Sequence, residues 1–254
     1  MITCVWAITT YNRMNFLKQT IDSWLDTRNP SYRWVVLIAD DGSTDLTLKY
    51  LSRFSEFTVL NHNRRGVHHQ TNQLFKNCPD FHVGFKTDDD LIFKEKGWDT
   101  QYIEAIKETG YDHLVFHDLK WKRKKRKRDD VYHPSGRLEC RSYWDDTQGA
   151  FWTFTPRVLK SVGYFDMSLY GRAGWGHRDF TMRCCKAGFN EQDNIFDITD
   201  SNRWIQLNLH QYVSTHPIRP KQLPGEETKR KINALWDSRI FVPYNTIPNC
   251  KMYL

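Results

Sequence analysis

The stretch "RWVVLIADDGSTD" (residues 33–45) decides how the rest of the chain is read. Its first seven residues are almost entirely apolar and do not alternate with polar ones. That is the pattern of a strand buried on both faces, as in a parallel sheet. The run stops at Asp40, Asp41, Gly42, Ser43 and Thr44. Asp and Ser at such a place turn the chain and cap the next helix. The carboxyl end of a parallel strand is also where open α/β sheets bind ligands. On this stretch alone the two readings stand level.

Working outward, "ITCVWAIT" (2–9) is a second apolar, β-rich run, and "MNFLKQTIDSWLDT" (14–27) carries Phe16, Leu17, Ile21, Trp24 and Leu25 as a helical stripe. Downstream, "LTLKYLSRF" reads as helix, "EFTVLN" as strand, "GVHHQTNQLFKN" as helix and "FHVGFKT" as strand. "WDTQYIEAIKET" reads as a further helix and "DHLVFHDL" (112–119) as a fifth strand. Strand and helix alternate throughout, which predicts an α/β fold with a Rossmann-like, mostly parallel sheet flanked by helices. Neither G-x-G-x-x-G nor a P-loop occurs, so no dinucleotide or P-loop nucleotide site is supported.

Beyond residue 120 the pattern is less regular. "DDVYHPSGRLECRSYW" (129–144) suits the return arm of a long hairpin, and "GAFWTFTPRVLKSVGYFD" (149–166) a strand with a helix from Pro156. "GWGHRDFTMRCCKAGF" (174–189) suits a Gly-rich loop opening a helix, with Phe180, Met182 and Cys184 or Cys185 inward. "EETKRKINALWD" (226–237) reads as one short helix in a proline-containing tail.

Composition sets bounds. With 254 residues, 39% hydrophobic and 15% aromatic, the chain can bury a real core and is not disordered. Most of the ten tryptophans belong to that core. The formal charge of +7 points to an anionic partner. Much of the excess lies in "KWKRKKRKR" (120–128), where eight of nine side chains are cationic. The six cysteines show no C-x-x-C or zinc spacing, which predicts reduced thiols. No signal-peptide pattern or 18-residue apolar stretch is present, so the expectation is a cytoplasmic protein with no membrane span.

Three polar clusters end strands: Thr9-Thr10-Tyr11, Asp40-Asp41, and Asp88-Asp89-Asp90 in "KTDDDLIF" (86–93). Three on one edge favour a shared site. Adjacent carboxylates repel, and a hard divalent cation, Mn²⁺ or Mg²⁺, offsets that repulsion while completing its shell with substrate phosphates. A solvated acidic turn is the bland alternative.

In order along the chain, "VWAITTYNRMNFLKQTIDSWL", "WVVLIADDGSTDLT" and "TDDDLIF" resemble the nucleotide-binding segments of the GT-A glycosyltransferases, especially the inverting family 2. "VGYFDMSLYGRAGWGHRDFTMRCCKAGF" resembles that superfamily's acceptor-side segment. The resemblance covers residues 2–190. It implies a GT-A domain over 1–216, with the nucleotide part in about 1–118 and the acceptor part in about 119–216. Residues 217–254 would be a C-terminal extension packed upon it.

The resemblance also implies roles. Thr9 and Tyr11 flank the nucleobase, Arg13 joins the substrate contacts, and Asp41 bonds the base edge or ribose. Asp88 and Asp90 occupy the ends of the D-x-D metal motif, with Asp89 and Asp90 as the alternative pair. His210 or His216 supplies a late metal ligand or phosphate contact. Asp179 stands where the family keeps its catalytic base, and Trp175, Gly176 and Arg178 lie on the acceptor side. Arg178 replaces the family's usual Glu, which puts the acceptor contact in question. Arg65, with Arg64, either reaches the pyrophosphate or sits in an exposed turn.

The implied reaction is metal-dependent, inverting transfer of a sugar from a nucleoside diphosphate sugar, UDP-sugar favoured, to an acceptor hydroxyl. The acceptor is a glycan, lipid or protein, an anionic polymer among the candidates. A second reading has the basic run grip DNA so that a hydroxymethylated base is glycosylated, with the base flipped out and binding sensitive to salt. A third is a non-enzymatic nucleic-acid-binding protein, which has no need of the aspartate triplet or Asp179.

Overall fold

The computed structural model describes residues 1–118, 131–142, 147–208 and 226–237. The run that opens the sequence argument forms β2 (Arg33–Asp40), beside β1 (Thr3–Thr10). β3 (Thr58–Asn61) and β4 (Val83–Asp88) complete the parallel part, and β7 (Phe151–Phe154) closes one edge antiparallel to β4. The order is β3-β2-β1-β4-β7. Two small antiparallel pairs stand apart: β5 (Leu91–Phe93) with β9 (Ile205–Leu207), and β6 (Leu138–Ser142) with β8 (Ile195–Ile198).

Unbroken apolar strands are required because both faces are covered. Side chains alternate across a strand. Cys4, Trp6 and Ile8 of β1, with Val36 and Ile38 of β2, meet α1 (Met14–Thr27) and α4 (Trp98–Thr109). Val5, Ala7, Leu37 and Ala39 point the other way. They join Leu74 and Phe75 of α3 (Val67–Lys76), Leu159 of α5 (Pro156–Val162) and Phe180 of α7 (Gly176–Lys186). The remaining helices are α2 (Thr47–Leu51), α6 (Met167–Tyr170), α8 (Ser201–Trp204) and α9 (Glu226–Asp237). On α1 the expected stripe is buried except Leu25, which is exposed. Phe180, Met182, Cys184 and Cys185 are all buried.

The register aligns the three polar clusters. Thr10 lies opposite Asp40, and Thr9 opposite Asp88. The strands end together on one edge of the sheet.

The expected fifth strand at 112–119 is corrected. Its described residues make only one isolated bridge, Val115 with Trp152, and β7 takes the place beside β4. Thr153 explains the irregularity. Its Oγ1 accepts the Leu114 N–H at 2.8 Å and donates to the Asp112 carbonyl at 3.0 Å, so a side chain stands where ladder bonds would form. The segment 131–142 is likewise less regular than one hairpin arm: β6 ladders with β8, and Tyr132 bridges back to Glu139.

Trp6, Trp24, Trp98 and Trp152 are among the largest fully buried side chains, in keeping with tryptophan as core material. Trp6 stacks on Trp24 at 4.4 Å, and Phe85 meets Trp98 edge-on at 5.0 Å. Cys4, Cys78, Cys140, Cys184 and Cys185 are free thiols, while Cys250 lies outside the described residues. Among the described residues no helix is long and apolar enough to cross a membrane. Phe85 is fully buried between the sheet and α4, so Phe85→Ala should cost about 3–5 kcal/mol, read as a lower urea midpoint with unchanged slope.

Candidate active site

The site is assembled from the strand ends upward. At the β4 end, Asp89 and Asp90 turn away from solvent and share one cation. Arg13, just before α1, donates from Nη1 to Asp89 and from Nη2 to Asp90, each at 2.7 Å. Thr10 Oγ1 adds a 2.7 Å bond to Asp89. Thr20 of α1 donates to the Asp89 carbonyl and accepts the Leu91 N–H, fixing the turn. Burial pushes the Asp89 carboxyl up to about 7; Arg13 and Thr10 pull against that, and the neighbouring Asp90 and Asp88 add to it. The Arg13 guanidinium is itself raised, because Asp89 and Asp90 outweigh its burial.

Asp88 behaves differently. Its side chain is 34% exposed, accepts from Lys86 Nζ and, at 3.4 Å, from Thr9 Oγ1, and faces a cavity of about 350 Å³. At the end of β2, Asp40 is a turn residue, accepting the N–H groups of Gly42 and Ser43. Asp41 holds the loop before α3 by accepting from Arg65 N, Gly66 N and Gln70 Nε2. Gly66 is required there: its φ is +93°, and a Cβ would lie 2.3 Å from the Arg172 carbonyl oxygen. Across the mouth, the Arg64 guanidinium lies over the Tyr11 ring, 3.7 Å from its centroid.

The opposite wall comes from the segment before β7 and the first turn of α7. Arg178 lies over the Trp175 ring at 4.9 Å. His177 faces the carbonyls of Gly174 and Thr147 with its two ring nitrogens. Gly176 allows His68 to approach, since a Cβ there would lie 2.5 Å from Nε2. Burial lowers both His68 and His177 to about 4, so both rings are neutral at pH 7. Asp179 pairs with Arg183 at 2.9 Å, and Arg183 also donates to the carbonyls of Val162 and Tyr164.

Of the residues singled out in the sequence, Thr9, Tyr11, Arg13, Asp41, Asp88, Asp89, Trp175 and Arg178 line one cavity. Asp90, Arg65, Gly176 and Asp179 are not in its lining; Asp90 is turned to Arg13 and Asp179 to Arg183. His210, His216 and the basic run at 120–128 fall outside the described residues. Sequence reasoning passed over Lys86 and His68. Lys86 had a visible signal, a cation two residues before Asp88 inside an otherwise apolar strand.

A family model described as glycosyl transferase family 2 matches residues 5–163. The chain belongs to this family. An uncharacterized glycosyltransferase of Acanthamoeba polyphaga mimivirus (R363) is 30% identical over 214 residues, 80% of each chain. Among solved structures, S. aureus TarS 1–349 matches with a TM-score of 0.56 and 18% identity, over 73% of this chain and 56% of that one. A complex of it with UDP matches equally well by TM-score. The mannosyltransferase PcManGT from Pyrobaculum calidifontis, in complex with GDP-Man and Mn²⁺, matches with a TM-score of 0.53 and 14% identity, over 73% and 52%. At these identities the solved structures establish the shared GT-A fold. The match covers 56% of the TarS 1–349 chain, 43% of the longer TarS chain and 52% of the PcManGT chain. It is a glycosyltransferase by family.

The donor set can be tested against the divalent ion that such enzymes imply. Among the described residues no group of three or more His, Cys, Asp or Glu comes together as a cage. An ion of the Mg²⁺ type does not need one, because it is held by one or two carboxylates plus substrate phosphates and water. Asp88, with Asp89 also in the lining, fits that requirement.

Removing Arg13 leaves two buried carboxylates without their cation, so Arg13→Met should cost about 3–5 kcal/mol in chemical denaturation. Asp89 titrates higher folded than unfolded, so its contribution to stability is present below about pH 4 and is lost as the pH rises through 7. Asp89→Asn should therefore flatten the decline of unfolding free energy between pH 4 and 8, measured by urea titration across that range.

Proposed function

We propose that this family 2 enzyme is a metal-dependent, inverting glycosyltransferase. It moves a sugar from a nucleoside diphosphate sugar, UDP-sugar favoured, to an acceptor hydroxyl. The observation that carries the reading is the cavity shared by the ends of β1, β2 and β4 and by the first turn of α7. It brings Asp88, Tyr11 and Asp41 to one side and Trp175 and Arg178 to the other. TarS with UDP and PcManGT with GDP-Man and Mn²⁺ support a diphosphate-linked donor and a divalent ion.

In this reading Thr9 and Tyr11 flank the base, and Asp41, already anchoring the loop before α3, lies near the ribose. Asp88, aided by Asp89, would hold the ion, whose charge would offset the negative charge growing on the departing diphosphate. Asp179 takes the proton of the acceptor hydroxyl. Its carboxyl pairs with Arg183 at 2.9 Å in the structure. Attack on the anomeric carbon opposite the departing diphosphate inverts configuration. Asp179 is not in the cavity lining, so this role requires the first turn of α7 to shift when the acceptor binds.

Two measurements test this. UDP with Mn²⁺ should raise the melting temperature, and GDP should do so less. Asp179→Asn should lower transfer about 10²–10⁴-fold, the usual worth of a general base, while UDP affinity stays within about twofold. Turnover near that of the wild type would remove Asp179 from the role. Loss of UDP binding together with transfer would show instead that the residue acts through Arg183 and the fold of α7.

A further inference from the structure

Lys86 is a side chain at the cavity that neither the fold nor the proposed chemistry accounts for. It lies on β4 opposite Ala7 of β1 and Trp152 of β7, beside the apolar cluster that Ala7 and Trp152 join. Its side chain is only 4% exposed. Residues two apart on a strand share a face, so Lys86 and Asp88 point the same way, and Nζ donates to Asp88 Oδ1. Burying an ammonium is costly unless it is paired. The fold does not need it to orient Asp88, because Thr9 Oγ1 reaches the same oxygen and the Asp88 N–H is held by the Ala150 carbonyl at 2.8 Å.

The triplet's charges are thus divided. Arg13 pairs with both Asp89 and Asp90, and Lys86 is matched to Asp88, the more exposed carboxylate at the cavity. An ammonium and a divalent cation seek the same carboxylate lone pairs and repel each other. Lys86 also stands where a diphosphate beside Asp88 would meet it, and lysine is a point-charge phosphate binder.

We infer that Lys86 competes with the divalent cation for Asp88 and sets how strongly donor binding depends on metal. This rests on the donor reading proposed above. With Lys86 present, a nucleoside diphosphate binds with appreciable affinity even without metal, because the ammonium serves its phosphates. When a metal takes Asp88, Lys86 transfers its charge to the diphosphate.

The experiment is calorimetric titration of UDP into the full-length protein, once with excess Mn²⁺ and once with EDTA. The quantity read is the ratio of the two dissociation constants, EDTA over Mn²⁺. In Lys86→Met and in Lys86→Gln, which keeps a polar tip, the ratio should rise at least tenfold over wild type. Lys86→Arg should stay near the wild-type ratio. In an Asp88→Asn background the ratio should fall toward one and no longer respond to residue 86. An unchanged ratio in both neutral variants, or a rise that survives Asp88→Asn, overturns the inference while leaving the donor reading standing. Failure of the wild type to bind UDP or GDP under either condition would instead remove the donor reading, and this inference with it.

Discussion

The Arg13 guanidinium between Asp89 and Asp90 is the contact on which the site depends. Three consecutive carboxylates at the end of a buried strand cannot all face one cavity without a cation. Arg13 takes two of them inward, and Thr10 and Thr20 hold the resulting turn from β1 and α1. Breaking that contact would turn two charges loose beside a core of Trp6, Trp98 and Phe93. Keeping it leaves Asp88 as the member of the triplet at the cavity that Arg13 does not hold, while Asp89 stays in the lining bonded to Arg13 and Thr10. The triplet therefore serves two ends: two of its members brace the strand ends, and one is left for chemistry.

Much of this was legible in the sequence, and the rest was hidden for identifiable reasons. Apolar runs without alternation marked β1, β2 and β4, because strands covered on both faces need apolar side chains on both. The common edge followed from polar residues at each strand end. The partner of the triplet was not legible, since Arg13 lies 76 residues before Asp89 and pairing over that distance is set by the fold. The expected strand at 112–119 had the right composition, but Thr153 Oγ1 takes the Leu114 N–H and bonds the Asp112 carbonyl, and the segment's described residues make one isolated bridge. Lys86 was passed over because the triplet beside it drew the reading toward anions.

Phase on a helix set a further limit. Arg178 and Asp179 are neighbours in sequence, yet successive helical residues diverge by about 100°. Which of them turns to the cavity depends on how α7 is anchored. Arg183, one turn on, draws Asp179 toward the carbonyls of Val162 and Tyr164 at the end of α5. Arg178 is thereby left over Trp175 at the wall.

The histidines extend the same logic. His113 bonds the Thr153 carbonyl and Thr181 Oγ1 at 3.0 Å each, tying β7 to α7, and the His177 ring lies between the Gly174 and Thr147 carbonyls, donating as a neutral ring to one of them. Burial holds His113, like His68 and His177, near 4. Residues of the type that usually titrate near neutrality are here neutral struts that set the cavity's walls. Charge in the site is instead carried by Arg13, Lys86, Arg64 and Arg178 against Asp41, Asp88 and Asp89. With those rings neutral, an anionic donor meets the site's arginines and lysine, while Asp89, pushed up to about 7 by burial, changes charge across the neutral range.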